Sequence, residues 1–230
     1  MLNKMSLNQM HFSLAVLALT ILGCAASSPE AQLEESIQWY TGELGSVDDS
    51  QARRLLELSA TDGNAMSVMW LARVYSTGRM TFEADKAKAV SLATSVIDDI
   101  EAMANQGNSE AMLLMGTAYA EGLAKEVDPE MAVQWYRDAA ALNNTLALHN
   151  LGNVYASGTG VPQDDELAAQ WWLKAAHKGD AIPQLRLGGV YEQGRGVEKD
   201  IDEAVRWYSD SASRGNQAAA AALKRLLAEN

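Results

Sequence analysis

Cysteine is almost missing from this sequence: Cys24 is the only one among 230 residues. No internal disulfide can form, and no cysteine-rich zinc site is available. Histidine is scarce, and no two of the three stand at the H-E-x-x-H spacing of a catalytic zinc site. Neither a G-x-S-x-G nucleophile elbow nor an S-x-x-K motif occurs. Gly158-Thr159-Gly160 lacks the preceding strand of a nucleotide-binding loop and reads as a turn. These absences point away from an enzyme, and no metal or cofactor is expected. Basic residues are also few, 18 against 30 acidic, for a net charge of −12. Such a balance repels phosphate backbones and argues against nucleic acid as a partner. It either favours a basic protein surface or merely coats a solvated outer face, and the second reading carries more weight. Only four prolines and two phenylalanines are present, while hydrophobic content is 48% and alanine is abundant, as close helix packing requires.

Long apolar runs are limited to residues 12–22 (FSLAVLALTIL). Eleven residues are too few to cross a bilayer core of about 30 Å as a helix, but they suit the apolar region of a signal peptide, with Lys4 before it. The run closes on Ile21-Leu22-Gly23-Cys24, which resembles the lipobox of bacterial lipoproteins. That resemblance implies a signal peptide over 1–23 and a lipid-modified Cys24 as the first mature residue. The alternative is a free thiol behind an ordinary cleaved signal. Ala25 stands where an aspartate often retains such lipoproteins at the inner membrane. The implied location is therefore the periplasmic face of a Gram-negative outer membrane, with membrane contact through the lipid anchor only and 24–31 as a flexible tether. Removing 1–23 takes away Lys4 and no acid, leaving 17 basic residues against 30 acidic.

The rest of the chain is organised by repetition. Gly116, Gly152 and Gly188 are spaced by thirty-six residues, and Tyr119, Tyr155 and Tyr191 share their phase. So do Gly122, Gly158 and Gly194; Asp128, Asp164 and Asp200; Ala132, Ala168 and Ala204; and Trp135, Trp171 and Trp207. A period of twenty to fifty residues marks a solenoid, whose stacked units share one continuous core. In the unit that starts at Thr145, Ala147, Leu151, Val154 and Tyr155 recur at helical steps, so the first half is an amphipathic helix. Gly152 costs that helix about 1 kcal/mol relative to alanine, which makes sense where a neighbour comes too close for a side chain. Gly158 stops the helix. Asp164 caps the next one, as Asp128-Pro129 and Asp200 with Glu203 do in the flanking units. Leu167, Ala168, Trp171, Ala175 and Ala176 form the inward stripe of this second helix, with Lys174, His177 and Lys178 in its last turn.

The run A-x-x-x-L-G-x-x-Y-x-x-G-x-G-V, then D, then A-x-x-W-[YW]-x-x-A-A resembles the Sel-one-like repeat, a tetratricopeptide-like helix pair. Ala147, Leu151, Gly152, Tyr155, Gly158, Gly160, Val161, Asp164, Ala168, Trp171, Trp172, Ala175, Ala176 and Gly179 carry it here. The resemblance implies an all-α fold, a right-handed α-solenoid built from such pairs over residues 32–230. Regular units are expected at 108–143, 144–179 and 180–215, with a capping helix at 216–230. A divergent unit at 64–107 has one residue inserted before Asp85, about seven added to its second helix, and Leu92 in place of tryptophan. A degenerate unit at 32–63 retains Trp39, Gly42, Asp48, Ala52, Leu55 and Leu56.

Few residues suggest chemistry. His149 replaces the Leu113 and Leu185 of other units and reads as an aromatic filler of the helix seam rather than a base; His177 reads as an end charge. Asp48-Asp49, Asp98-Asp99 and Asp164-Asp165 suit helix starts or a charged helix better than acid–base work. The phased Trp135, Trp171 and Trp207 read as core. Trp70 is different, because it aligns with Leu114, Asn150 and Arg186. In tetratricopeptide-like solenoids the first helices line the concave, partner-binding face. Helical steps from that position collect Trp70, Arg73 and Thr77; Leu114, Thr117 and Glu121; Asn150, Asn153 and Ser157; Arg186, Gly189 and Gln193. This stripe is the candidate surface for a protein or peptide, unless Trp70 packs beneath the divergent N-terminal unit. The leading expectation is a non-enzymatic interaction module. Lipoproteins of this repeat type include immunity proteins against type VI secretion lipases, an alternative that would use the acidic charge against a basic effector. A cell-wall or β-lactam hydrolase is a third class. Cysteine-rich relatives in the repeat family have been linked to β-lactams, but this chain lacks their paired cysteines.

Overall fold

The computed structural model describes residues 27–229, all of whose regular elements are helices. In chain order they are α1 (Pro29–Thr41), α2 (Asp49–Thr61), α3 (Ala65–Thr77), α4 (Lys86–Asn105), α5 (Ser109–Glu121), α6 (Pro129–Ala141), α7 (Thr145–Ser157), α8 (Asp165–His177), α9 (Ala181–Gln193), α10 (Ile201–Ser213) and α11 (Gln217–Glu229). Odd and even helices pack as antiparallel pairs, each pair stacks on the next, and α11 covers the last one. The chain is therefore an all-α solenoid. Every described helix spans 13 residues except α4, whose 20 residues accommodate the insertion expected in the divergent unit. The signal segment and Cys24 lie outside the described residues. Residues 29–31, expected to belong to a tether, are instead helical, because Ser28 caps α1 and the helix begins at Pro29.

Two sets of polar bonds fix each pair. The side chains of Asp128, Asp164 and Asp200 accept from Met131, Leu167 and Glu203 N–H at 2.9–3.0 Å, capping the even helices. The same aspartates donate their own backbone N–H to the carbonyls of Tyr119, Tyr155 and Tyr191, at 2.9–3.0 Å. The fixed tyrosine-to-aspartate phase of the sequence is thus a hydrogen bond across the turn. Asp85 to Tyr75 and Asp48 to Trp39 repeat it in the irregular units. Odd helices α3, α5, α7 and α9 are capped by Asn64, Asn108, Asn144 and Asp180, a recurrence the sequence analysis passed over.

Packing within a pair rests on a glycine facing an aromatic ring. A Cβ placed on Gly116, Gly152 or Gly188 would come within 2.3–2.5 Å of the Tyr136, Trp172 or Tyr208 ring. The expected close approach is real, but the ring that fills it belongs to the residue after the phased tryptophan. The buried stripe of α8 is accordingly Ala168, Ala169, Trp172, Ala175 and Ala176. Trp207 is buried as expected, whereas Trp135 and Trp171 are only half-buried, with Lys174 over the Trp171 ring at 4.0 Å. Stacking between pairs has its own close contact. A Cβ at Gly196 would lie 2.2 Å from the Asp165 carbonyl of the preceding unit. The equivalent position in an earlier unit is Ala124, held at φ +59°.

Gly152→Ala is expected to destabilise the fold by about 1–3 kcal/mol through overpacking, although alanine is the better helix former. In a Trp172→Ala background the same change should become neutral or stabilising, because the opposing ring is gone. Denaturant unfolding of the parent chain, the two single variants and the double variant measures this reversal of sign.

Candidate functional site

The odd helices face inward, and the candidate stripe they carry divides into a covered half and an open half. Trp70 and Leu114 are completely buried, Thr117 is 1% exposed and Arg73 3%. The cover is the first helix pair. Tyr40 of α1 meets the Trp70 ring edge-on, with centroids 6.2 Å apart. The Trp70 indole N–H donates to Glu110 Oε1 at 2.6 Å, and the other carboxylate oxygen accepts from Asn144 Nδ2 at 2.8 Å. Trp70 therefore packs beneath the N-terminal unit, the second of the two readings that the sequence left open. Trp70, Leu114 and Thr117 belong to the core and cannot meet a partner from outside. Glu121 also turns inward, with its carboxylate 3.8 Å from the Arg79 guanidinium. Thr77 is exposed.

The first pair reaches this position because the two ends of the solenoid touch. Arg214, at the C-terminal end of α10, donates to the Gly42 carbonyl at 2.7 Å, across 172 residues of sequence. Its own carbonyl accepts from Val47 N–H at 2.8 Å. The turn between α1 and α2 thus rests on the last regular unit, and a chamber of about 280 Å³, partly open to solvent, lies between them. Tyr40, Arg73, Arg79, His149, Asn150 and Arg186 all face it. His149 is no apolar filler: its Nδ1 lies 3.0 Å from Asp180 Oδ2, whose side chain is 1% exposed. Asp180 also caps α9 through its other oxygen, so one carboxylate ties a helix start to the chamber wall. Burial pulls the Arg73 guanidinium below its ordinary pKa, and the neighbouring Arg79 charge adds to this.

Beyond the chamber the stripe opens. Ser157, Arg186 and Gln193 are exposed, while Asn150, Asn153 and Gly189 are half-buried. All of these but Asn150, which faces the chamber, border a groove of about 560 Å³ whose floor includes Trp172, Val190 and Tyr208. The Trp172 indole N–H donates to Asn153 Oδ1 at 3.2 Å, and the Tyr208 hydroxyl donates to Glu192 at 2.7 Å. The pairing aromatics of the core thus also supply the groove floor. Asn153 and Arg186 border both hollows, so chamber and groove are neighbours along one wall. Glu110, Asn144, Asp180 and Tyr40 were not among the residues the sequence singled out. The phased Asn108, Asn144 and Asp180 are the one signal that could have found two of them.

Comparison with known proteins agrees with this architecture. The Sel1 repeat model matches residues 39–64, 65–95, 109–144, 145–180 and 184–216. The chain belongs to the Sel1 repeat family. It is 28% identical over 100 residues to the Sel1-repeat-containing protein YjcO of Escherichia coli K12, a match covering 44% of this chain and 42% of that relative. The structure of c5321, a protective antigen present in uropathogenic E. coli strains, matches with a TM-score of 0.58 and 26% identity, over 98% of this chain and 52% of that one. A Sel1 repeat protein from Oxalobacter formigenes matches with a TM-score of 0.53 and 27% identity, over 88% and 80% of the two chains. This chain matches less than half the length of the curated relative and about half that of the antigen.

Glu110 gives the covered half of this Sel1 repeat chain a measurable pH dependence. Burial pushes its carboxyl above the ordinary carboxylate value, against the opposing hydrogen bonds from Asn144 and Trp70. A carboxyl with a higher pKa folded than unfolded binds its proton more tightly in the folded chain. Its contribution is therefore fullest below the unfolded value and falls as pH rises through the folded one. The stability of the wild type relative to Glu110→Gln should accordingly fall between pH 4 and pH 7, as urea unfolding at the two pH values would measure.

Proposed function

We propose that this chain is a non-enzymatic interaction module that holds a protein segment in the open groove along α7, α9 and α10. The observation that carries the reading is the groove itself: an apolar aromatic floor with a rim of Ser157, Arg186 and Gln193. Aromatic anchors beside polar groups are the usual chemistry of a protein interface. Solenoids commonly present such extended inner surfaces to partners. The groove is open rather than a closed pocket, which suits a peptide segment better than a small substrate. Lipidation of Cys24, read from the lipobox resemblance, would hold the module at the periplasmic face of an outer membrane. Its acidic exterior would remain in water there.

Gly189 provides the means of testing the groove. A Cβ at this position meets nothing closer than the Tyr208 hydroxyl at 3.6 Å, so a larger side chain can enter the groove without disturbing the core. Photo-crosslinking residues placed at Ser157 and Gln193 in the producing cell should trap a protein partner. The same residue at Gln170, on the outward face of α8, should not. Adding Gly189→Leu should reduce the trapped product at least tenfold while leaving thermal stability unchanged. Equal trapping from the outward face, or no effect of Gly189→Leu, would show that the partner binds elsewhere.

A further inference from the structure

The chamber contains a buried cation with no ion pair of its own among the described residues. Arg73 is 3% exposed, and its Nε and Nη1 groups have no hydrogen-bond partner. Its face is covered by the Trp70 ring at 4.4 Å, and the side chain lines the chamber wall. A buried guanidinium without an anion is costly, and proteins ordinarily pair it. Glu121 and Glu110 lie near enough to act on its charge but make no hydrogen bond to it: Glu121 faces Arg79 at 3.8 Å, Glu110 accepts from Trp70 and Asn144, and Asp180 holds His149 at 3.0 Å. Arg186 adds a second positive charge on the far wall, with no ion pair of its own among the described residues. In a chain of net charge −12, three arginines line this one chamber.

We propose that the chamber is a binding site for a single small oxyanion, a carboxylate or phosphate group, held by Arg73 and Arg186 with help from Asn150. A guanidinium presents a planar fork that matches two oxygens at once. The volume of about 280 Å³ holds such a group together with water. The shared wall formed by Asn153 and Arg186 allows two sources of the anion. It is either a free metabolite or an acidic side chain or terminal carboxylate carried by a segment in the groove. The second source rests on the function proposed above; the first does not.

The Arg73 side-chain Nε–H resonance reads the site directly. Acetate and inorganic phosphate are titrated against chloride at matched ionic strength, followed by a short peptide with a free terminal carboxylate and its amidated form. The expected result is a saturable shift of the Arg73 resonance with acetate or phosphate but not chloride, weakened at least fivefold by Arg186→Gln. Arg186 is exposed, so this variant folds even if Arg73→Met does not. A stronger response to the free-acid peptide than to its amide, with accompanying shifts at Gly189, assigns the anion to a groove-bound segment. Shifts with acetate or phosphate alone assign it to a free molecule and leave the site standing without the groove. Absence of any saturable shift at Arg73, or equal shifts in Arg186→Gln, overturns the proposal; peptide shifts confined to Gly189 would then preserve the groove alone.

Discussion

Each regular unit depends on one contact, an aromatic ring seated against a glycine in the middle of its partner helix. Gly116, Gly152 and Gly188 leave no room for even a methyl group, and Tyr136, Trp172 and Tyr208 fill the space. Helical propensity opposes glycine there by about 1 kcal/mol, so packing wins over local preference. The short separation aligns the tyrosine carbonyl of one helix with the aspartate N–H that starts the next. It also directs Trp172 and Tyr208 through the pair, so the side chains that lock the core form the floor of the groove. Core and candidate binding surface are therefore two sides of the same rings.

The ends of the solenoid determine which part of the inner surface is accessible. Arg214 holds the turn after α1 against the last regular unit, and Tyr40 of the first pair lies over Trp70 in the buried part of the stripe. This separates two environments. The covered half is polar, with Glu110 and Asp180 tied into hydrogen bonds and Arg73 Nε and Nη1 left without a hydrogen-bond partner. The open half is aromatic and rimmed by exposed polar groups. The acidic residues responsible for the net charge do not line it evenly: Arg186 and Arg195 border the groove on an otherwise acidic molecule.

Repetition made most of the fold legible. Helix starts at Asp128, Asp164 and Asp200 were readable because an aspartate cap acts within its own turn, and the lengthened α4 was readable from the break in spacing. Trp172 takes the place expected for Trp171 on the inward stripe, because adjacent aromatics differ by only about 100° around the helix. Periodicity alone could not separate the one facing the partner helix from the one facing the next unit. The covered half of the site was less legible still. Trp70 was singled out because it breaks the repeat, but its burial depends on Tyr40 and on an end-to-end contact across 172 residues. His149 looked like a filler because its partner, Asp180, lies in the next unit and was hidden among helix caps. Local sequence carries helix signals well and carries contacts between distant units hardly at all.

The central claim is that the two ends meet in solution and enclose the inner face. Pulsed electron resonance between spin labels at Ser46 and Ser213, in a Cys24→Ser chain, measures it most directly. Both positions are exposed, and they flank the Arg214 contact. A closed solenoid predicts a single narrow distribution at short distance, broadened by Arg214→Ala. A broad or long distribution in the parent chain would contradict the account, because an open superhelix would expose Trp70 and dissolve the chamber.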